Sequence, residues 1–216
     1  MISSASDGEL DLMLPIILNT DIGTDVDDAL ALAFATHSQE LAILAVTTVG
    51  GNARLRARIA RKLLDLMGRD GIPVAAGYNN TLDDKPSLML GHEGRGFIET
   101  EQDGLPIAEE HAVDLIINIL KSYEVKITIV SIGPLTNIAD ALRREPSLKE
   151  HIERIIIMGG SVTPRDVLKK EGWTKLPGFL KARLEYNMNA DPIASEIVMK
   201  AGIPLLLVPA EITFRT

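Results

Sequence analysis

The sequence has no cysteine among its 216 residues. Disulfides, thiolate metal centres and a cysteine nucleophile are therefore excluded, and a reducing compartment such as the cytoplasm fits. Basic charge is absent from the first quarter of the chain: no Lys or Arg lies between Met1 and Gly51. Over the whole chain the formal net charge is −8, which argues against a nucleic-acid partner, because phosphate backbones are met by basic faces. No apolar run reaches the roughly 18 residues of a membrane span. The polar, acidic start MISSASDGELD lacks the basic and apolar regions of a signal peptide. The expectation is a cytoplasmic protein without a membrane partner, built as one α/β domain over residues 1–216.

What is present is a near-continuous alternation of apolar runs and helical patterns. LPIILNT (Leu14–Thr20), LAILAVTTV (Leu41–Val49), Ile72–Ala76, KITIVSIG (Lys126–Gly133), RIIIMGG (Arg154–Gly160) and PLLLVPA (Pro204–Ala210) read as strands. Asp27–His37, Ala53–Gly68, Glu110–Tyr123, Leu135–Arg144 and Asp191–Ala201 read as helices between them. Thr81–Glu109 reads as a long functional loop and Ser161–Lys181 as irregular. Such an order predicts an open, mostly parallel, Rossmann-like sheet with helices on both faces.

The unusual residues then fall at one place. Asp21, Asp25, Asp27 and Asp28 follow the first strand, Gly50-Gly51-Asn52 the second, Gly133-Pro134-Leu135-Thr136-Asn137 the fourth, and Met158-Gly159-Gly160 close the fifth. All lie at carboxyl ends, the edge where open parallel sheets bind ligands. Four carboxylates within eight residues repel one another unless something positive compensates. A hard cation is the first candidate, because Ca²⁺ and Mg²⁺ take several oxygen ligands. An EF-hand is excluded: counted from Asp21, the twelfth position is Leu32 where that loop needs a bidentate glutamate.

The run DIGTDVDDALAL resembles the aspartate motif of the inosine–uridine-preferring nucleoside hydrolase family. AVTTVGGN, SIGPLTNIA, IIIMGG and EYNMNADPIAS follow in the family's order, so the resemblance extends over nearly all of the chain from about Pro15. It implies hydrolysis of the N-glycosidic bond of ribonucleosides to free base and ribose, with one Ca²⁺ as cofactor. It further implies that Asp21 touches the metal and acts as the base for its water, that Asp28 is a bidentate metal ligand, and that the Thr136 carbonyl completes part of the shell. Asp27, Asn52, Glu185 and Asn187 would hold ribose hydroxyls, and Met158 would line the same pocket. His92, in GHEGRGF, is a candidate contact to substrate or leaving group. Homo-oligomers are common in the family.

Three departures from the family pattern stand out. Asn19 occupies a position that is usually Asp; the aspartate loop is two residues longer, which makes Asp25 an extra acid; and the resemblance stops at VPAEITFRT, where family members continue. The expectation is a chain truncated at its C-terminus, with an incomplete metal shell and poor catalysis if it stands alone. Two other readings stay open: a non-catalytic relative that binds nucleoside or metal, and an Mg²⁺-dependent phosphohydrolase. The phosphohydrolase is disfavoured because no clear Lys or Arg sits in these motifs to grip phosphate.

Overall fold

The structure, a computed structural model, describes residues 13–98, 105–162 and 185–213. Most of the Ser161–Lys181 stretch lies outside the described residues. Six strands form one sheet: β1 (Leu14–Thr20), β2 (Leu41–Thr48), β3 (Val74–Ala76), β4 (Ile127–Ser131), β5 (Ile152–Met158) and β6 (Leu205–Val208). Their spatial order is β3-β2-β1-β4-β5-β6, and every pairing is parallel. The described helices are α1 (Asp27–His37), α2 (Ala53–Leu66), α3 (Ala112–Ser122), α4 (Thr136–Arg144), the short α5 (Asn187–Ala190), α6 (Pro192–Lys200) and α7 (Ala210–Thr213). The predicted open parallel α/β sheet is therefore the observed one.

Strand alternation divides the core into two layers. Ile17, Ile129, Ile155 and Ile157 face α3, α4 and α6 on one side of the sheet. Leu18, Val46 and Val74 face Leu32 of α1 and Ala57, Ala60 and Leu64 of α2 on the other. Central β1 is buried on both faces along its last five residues, as a parallel strand between two helical layers should be. The edge strand β6 departs from that expectation, with Leu206 exposed. Each fully buried aliphatic side chain contributes about 1.5–3 kcal/mol by leaving water, so the central strands anchor the scaffold and the edges add less.

The element bounds shift where side chains intervene. β3 starts at Val74 rather than Ile72 because the Ile72 carbonyl accepts from Arg61 Nη1 at 2.7 Å and residue 73 is a proline without an N–H. β5 stops at Met158; the Gly159 amide still donates to the Val208 carbonyl at 3.0 Å, and Gly160 then turns away at φ +85°. The chain reverses direction across the sheet between β1 and β4, the two strands paired at Asn19↔Ser131. That switch point opens a crevice at the carboxyl ends of β1 and β4.

Candidate active site

Asp21 is the first residue beyond β1 and Gly133 lies just beyond β4, so both sit in that crevice. A Cβ added to Gly133 would lie 2.7 Å from the Asp21 amide nitrogen and 2.9 Å from Asp21 Oδ1. The missing side chain at Gly133 is therefore what admits the Asp21 carboxylate. Asp28, in the first turn of α1, is buried and accepts from Thr20 Oγ1 at 2.5 Å; the same hydroxyl accepts from the Ile22 amide at 3.0 Å. Asp25 and Asp27 are exposed at the mouth. Burial pushes the Asp21 carboxyl up to about 6, against the pull of the Arg56 guanidinium, with Asp27 and Asp25 adding to the rise. Burial, then the charge of Asp21, drives Asp28 well above the ordinary carboxylate range.

The compensating charge that the acidic run requires is partly built in. Arg56, on the sheet-facing side of α2 and 1% exposed, donates from Nε to the Gly50 carbonyl at 2.8 Å. Its Nη1 donates to the Asp21 carbonyl, to the Ile22 carbonyl at 3.0 Å and to Thr24 Oγ1 at 3.0 Å. A bound cation was the first candidate from the sequence; the structure adds this arginine, which the apolar pattern of α2 concealed. Because its donors turn inward to backbone oxygens, it is not presented as a phosphate grip.

Asn19 is fully buried and completely used. Its Nδ2 donates to Ser131 Oγ and to the Pro134 carbonyl, both at 3.0 Å, and its Oδ1 accepts from Thr47 Oγ1 at 3.1 Å and Asn137 Nδ2 at 3.0 Å. An aspartate would have no proton for Ser131 or Pro134, which gives the Asn at this position a local reason. Asn137 also donates to the Thr48 carbonyl and accepts from the Tyr78 amide, joining the ends of β1, β2 and β3. Thr136 opens α4, and its hydroxyl donates to buried Asp191 at 2.8 Å. Asp191 in turn caps α6 through the Ala194 amide at 3.0 Å and accepts from the Leu82 amide at 2.9 Å. Asn137 and Asp191 stand inside the motifs quoted from the sequence, yet their bracing role was not assigned there.

The remaining predicted positions reach the same rim. Asn187 is buried and donates to the carbonyls of Ile132 at 2.8 Å and Met158 at 2.9 Å, stitching the ends of β4 and β5. Glu185 accepts from the Met188 amide at 2.9 Å; burial pushes its pKa above the ordinary glutamate value, and the neighbouring amides partly oppose the rise. These residues lie on and before the short helix α5. Met158 is partly buried at the end of β5. Asn52 is exposed and caps α2 by accepting from the Leu55 amide at 2.9 Å. His92 is exposed, with Nε2 2.9 Å from the Thr24 carbonyl oxygen. His111 caps α3 and meets the Tyr78 ring edge-on at 4.9 Å between centroids.

Carboxylates and carbonyls without nitrogen or sulfur ligands suit a hard cation in kind. Among the described residues no three His, Asp or Glu side chains converge as a metal cluster. Asp21 and Asp28 would be the side-chain ligands, and the other oxygens would have to come from backbone, water or substrate.

A family model described as inosine-uridine preferring nucleoside hydrolase matches residues 16–216, and the chain belongs to that family. An uncharacterised protein of Schizosaccharomyces pombe is 36% identical over 208 residues, covering 94% of this chain and 63% of the yeast protein. The pyrimidine-specific ribonucleoside hydrolase RihA of an Enterobacter species is 35% identical over 213 residues, covering 94% of this chain and 62% of RihA. Among solved structures, a plant nucleoside hydrolase, PpNRh1, superposes with a TM-score of 0.76 at 29% identity, covering 94% of this chain and 62% of that one. A purine-preferring ribonucleoside hydrolase from Gardnerella vaginalis gives 0.75 at 28%, with the same coverage. The chain thus spans a little over three-fifths of the length of the relatives it matches. No described helix is long and apolar enough to cross a membrane.

Proposed function

We propose that this chain carries the catalytic face of a calcium-dependent ribonucleoside hydrolase, which cleaves the N-glycosidic bond to release base and ribose. The observation that supports it most is the Asp21–Asp28 pair at the β1/β4 switch, two carboxylates that burial and neighbouring aspartates push up in pKa. Family membership supplies the reaction class.

Calcium, when bound, would supply charge there and orient and acidify a water. Asp21 accepts the proton of the attacking water, a task for an ionised carboxylate at the floor of the crevice. The water oxygen bonds to the anomeric carbon as the C–N bond breaks, and the departing base takes its proton from solvent, with His92 as a candidate contact to it. The transition state is oxocarbenium-like and gains from nearby negative charge. Asp28 and the Thr136 carbonyl would hold the cation together with Asp21. Asp27, Asn52, Glu185 and Asn187 hold the ribose hydroxyls, with Met158 against the ring. Ribose binding then supplies the energy used for positioning.

The test is reducing-sugar release from inosine, uridine, cytidine and adenosine by the 216-residue chain, with calcium and with chelator, beside Asp28→Ala. Calcium-dependent release that falls at least about a hundredfold in the variant is the expected outcome. No release from any nucleoside, with nucleoside binding retained, would replace this reading with a non-catalytic relative.

A further inference from the structure

Arg56 belongs to no part of the reaction just described, and it is a permanent charge held in the interior. Such a charge is tolerated only where oxygens replace its water. Here they come from two separate rim segments, the Asp21–Thr24 loop after β1 and the Gly50-Gly51 turn after β2. No ion pair to Arg56 is present among the described residues, so its partners are backbone carbonyls and one hydroxyl.

That hydroxyl extends the connection to a third segment. Thr24 Oγ1 accepts from Arg56 and donates to Glu93 Oε1 at 3.3 Å. Glu93 is buried, and its two oxygens accept from the Leu90 amide at 2.7 Å and the Gly91 amide at 2.8 Å. Burial pushes its pKa up, but these amides, its own amide and the charge of Arg56 outweigh that and leave it below the ordinary glutamate value. The Thr24 carbonyl lies 2.9 Å from His92 Nε2. Thr24 therefore fastens the segment 87–98 across the aspartate loop at two points.

The same segment lies over the second turn. Gly51, at φ +62°, has no space for a side chain because the Met89 side chain fills it, and Ser87 lies 3.7 Å from where a Gly50 Cβ would be. Its far end is held by Lys62, which donates to the Phe97 carbonyl at 2.5 Å and lies 5.0 Å from the Phe97 ring centroid.

We propose that Arg56 is a positioning residue that locks the aspartate loop, the Gly50-Gly51 turn and the 87–98 segment into one unit, with Thr24 as the relay. The guanidinium acts through backbone and through Thr24, without touching substrate. The wall that carries His92 and the loop that carries Asp21 then keep a fixed relation. Its effect on turnover rests on the nucleoside hydrolase reading; its effect on the segment does not.

Two readouts test it. Amide hydrogen exchange is measured at Leu90 and Gly91 and in β4, in wild type, Arg56→Met, Arg56→Lys and Thr24→Val. None of these variants alters the groups that Leu90 and Gly91 bond directly. Arg56→Met and Thr24→Val should speed exchange at Leu90 and Gly91 by about tenfold beyond any change in β4, with Arg56→Lys between them and wild type. Uniform acceleration in Arg56→Met, or wild-type exchange at Leu90 and Gly91 in Thr24→Val, overturns the proposal. Should Arg56→Met fail to fold, Thr24→Val and Arg56→Lys decide alone. In the second readout Thr24→Val should raise KM for nucleoside by about fivefold with kcat within about threefold of wild type; an unchanged KM overturns the link to substrate. If wild type releases no ribose, the hydrolase reading fails and the exchange experiment still decides the proposal.

Discussion

Two arginines on one helix, Arg56 and Arg61, are both almost completely buried, at 1% and 2% exposure. Both use their guanidinium to collect backbone carbonyls. Arg61 collects locally: Arg69, Asp70 and Ile72 carbonyls in the turn that leads into β3, with an ion pair to Asp65 at 2.6 Å. Arg56 collects across the topology, from Asp21, Ile22 and Thr24 more than thirty residues earlier and from Gly50 beside it. The same chemistry therefore does different work according to sequence distance. A local guanidinium shapes one turn and stabilises the fold; a long-range one fixes the relation of segments that meet at a site.

Arg61→Met should give the largest change in stability and sharpen this contrast. It removes the guanidinium from three part-buried carbonyls, of which Arg69 keeps the Ile72 amide at 3.3 Å, and a carbonyl left unsatisfied costs about 1–3 kcal/mol. Water relieves part of this at the turn, so a loss of about 3 kcal/mol is expected, which is roughly 10 °C in Tm for a chain of this size. Thermal denaturation followed by circular dichroism measures it. Nucleoside KM and kcat, taken well below the new Tm, should stay at wild-type values. A changed KM would break the comparison and make the whole of α2 part of the site.

The strand order was readable because buried parallel strands are apolar runs, and each run stood clear of its neighbours. The convergence of Asp21, Asn52, Thr136 and Met158 on one rim followed from their places after strands. The two arginines were not read, although a signal was present. Ala53, Ala57, Ala60 and Leu64 trace the buried face of α2, and Arg56 and Arg61 fall within it. An arginine on a small-residue face has to find oxygens nearby. The bracing pairs were beyond reach for a different reason. Asn19 to Ser131, Asn137 to Asn19 and Leu82 to Asp191 join residues more than a hundred positions apart, and only the strand order brings them together.

A smaller effect comes from removing the cation that the two aspartates are proposed to hold. In an unfolded chain both carboxyls titrate near 4. In the fold Asp21 is pushed up to about 6 and Asp28 upward as well. A raised value favours the protonated form, so the contribution of Asp21 is complete below about pH 4 and is lost as pH rises through about 6, and that of Asp28 is likewise lost with rising pH. In chelator, Tm should fall by a few degrees across that window relative to an Asp21→Asn, Asp28→Asn double variant, in which the other acids cancel. Calcium should remove the fall. Arg61→Met should keep the same slope, whereas Arg56→Met should steepen it, because Arg56 lowers both carboxyls. Equal slopes in the two arginine variants would erase the distinction between them.

The smallest stability change belongs to Asn52, which begins the helix that carries both arginines. Its Oδ1 is already taken by the Leu55 amide, so only Nδ2 is left to donate to a ribose hydroxyl. Asp caps helices about as well as Asn and suits the positive end of the helix dipole. Asn52→Asp should therefore hold stability within about 0.5 kcal/mol of wild type, where Asn52→Ala loses about 1 kcal/mol. The aspartate has no donor, so nucleoside KM should rise about tenfold in both variants alike. Tm and KM measured together separate the two roles. If Asn52→Asp keeps the wild-type KM, Asn52 is a cap alone, and the contribution of α2 to the site is confined to Arg56 one turn further on.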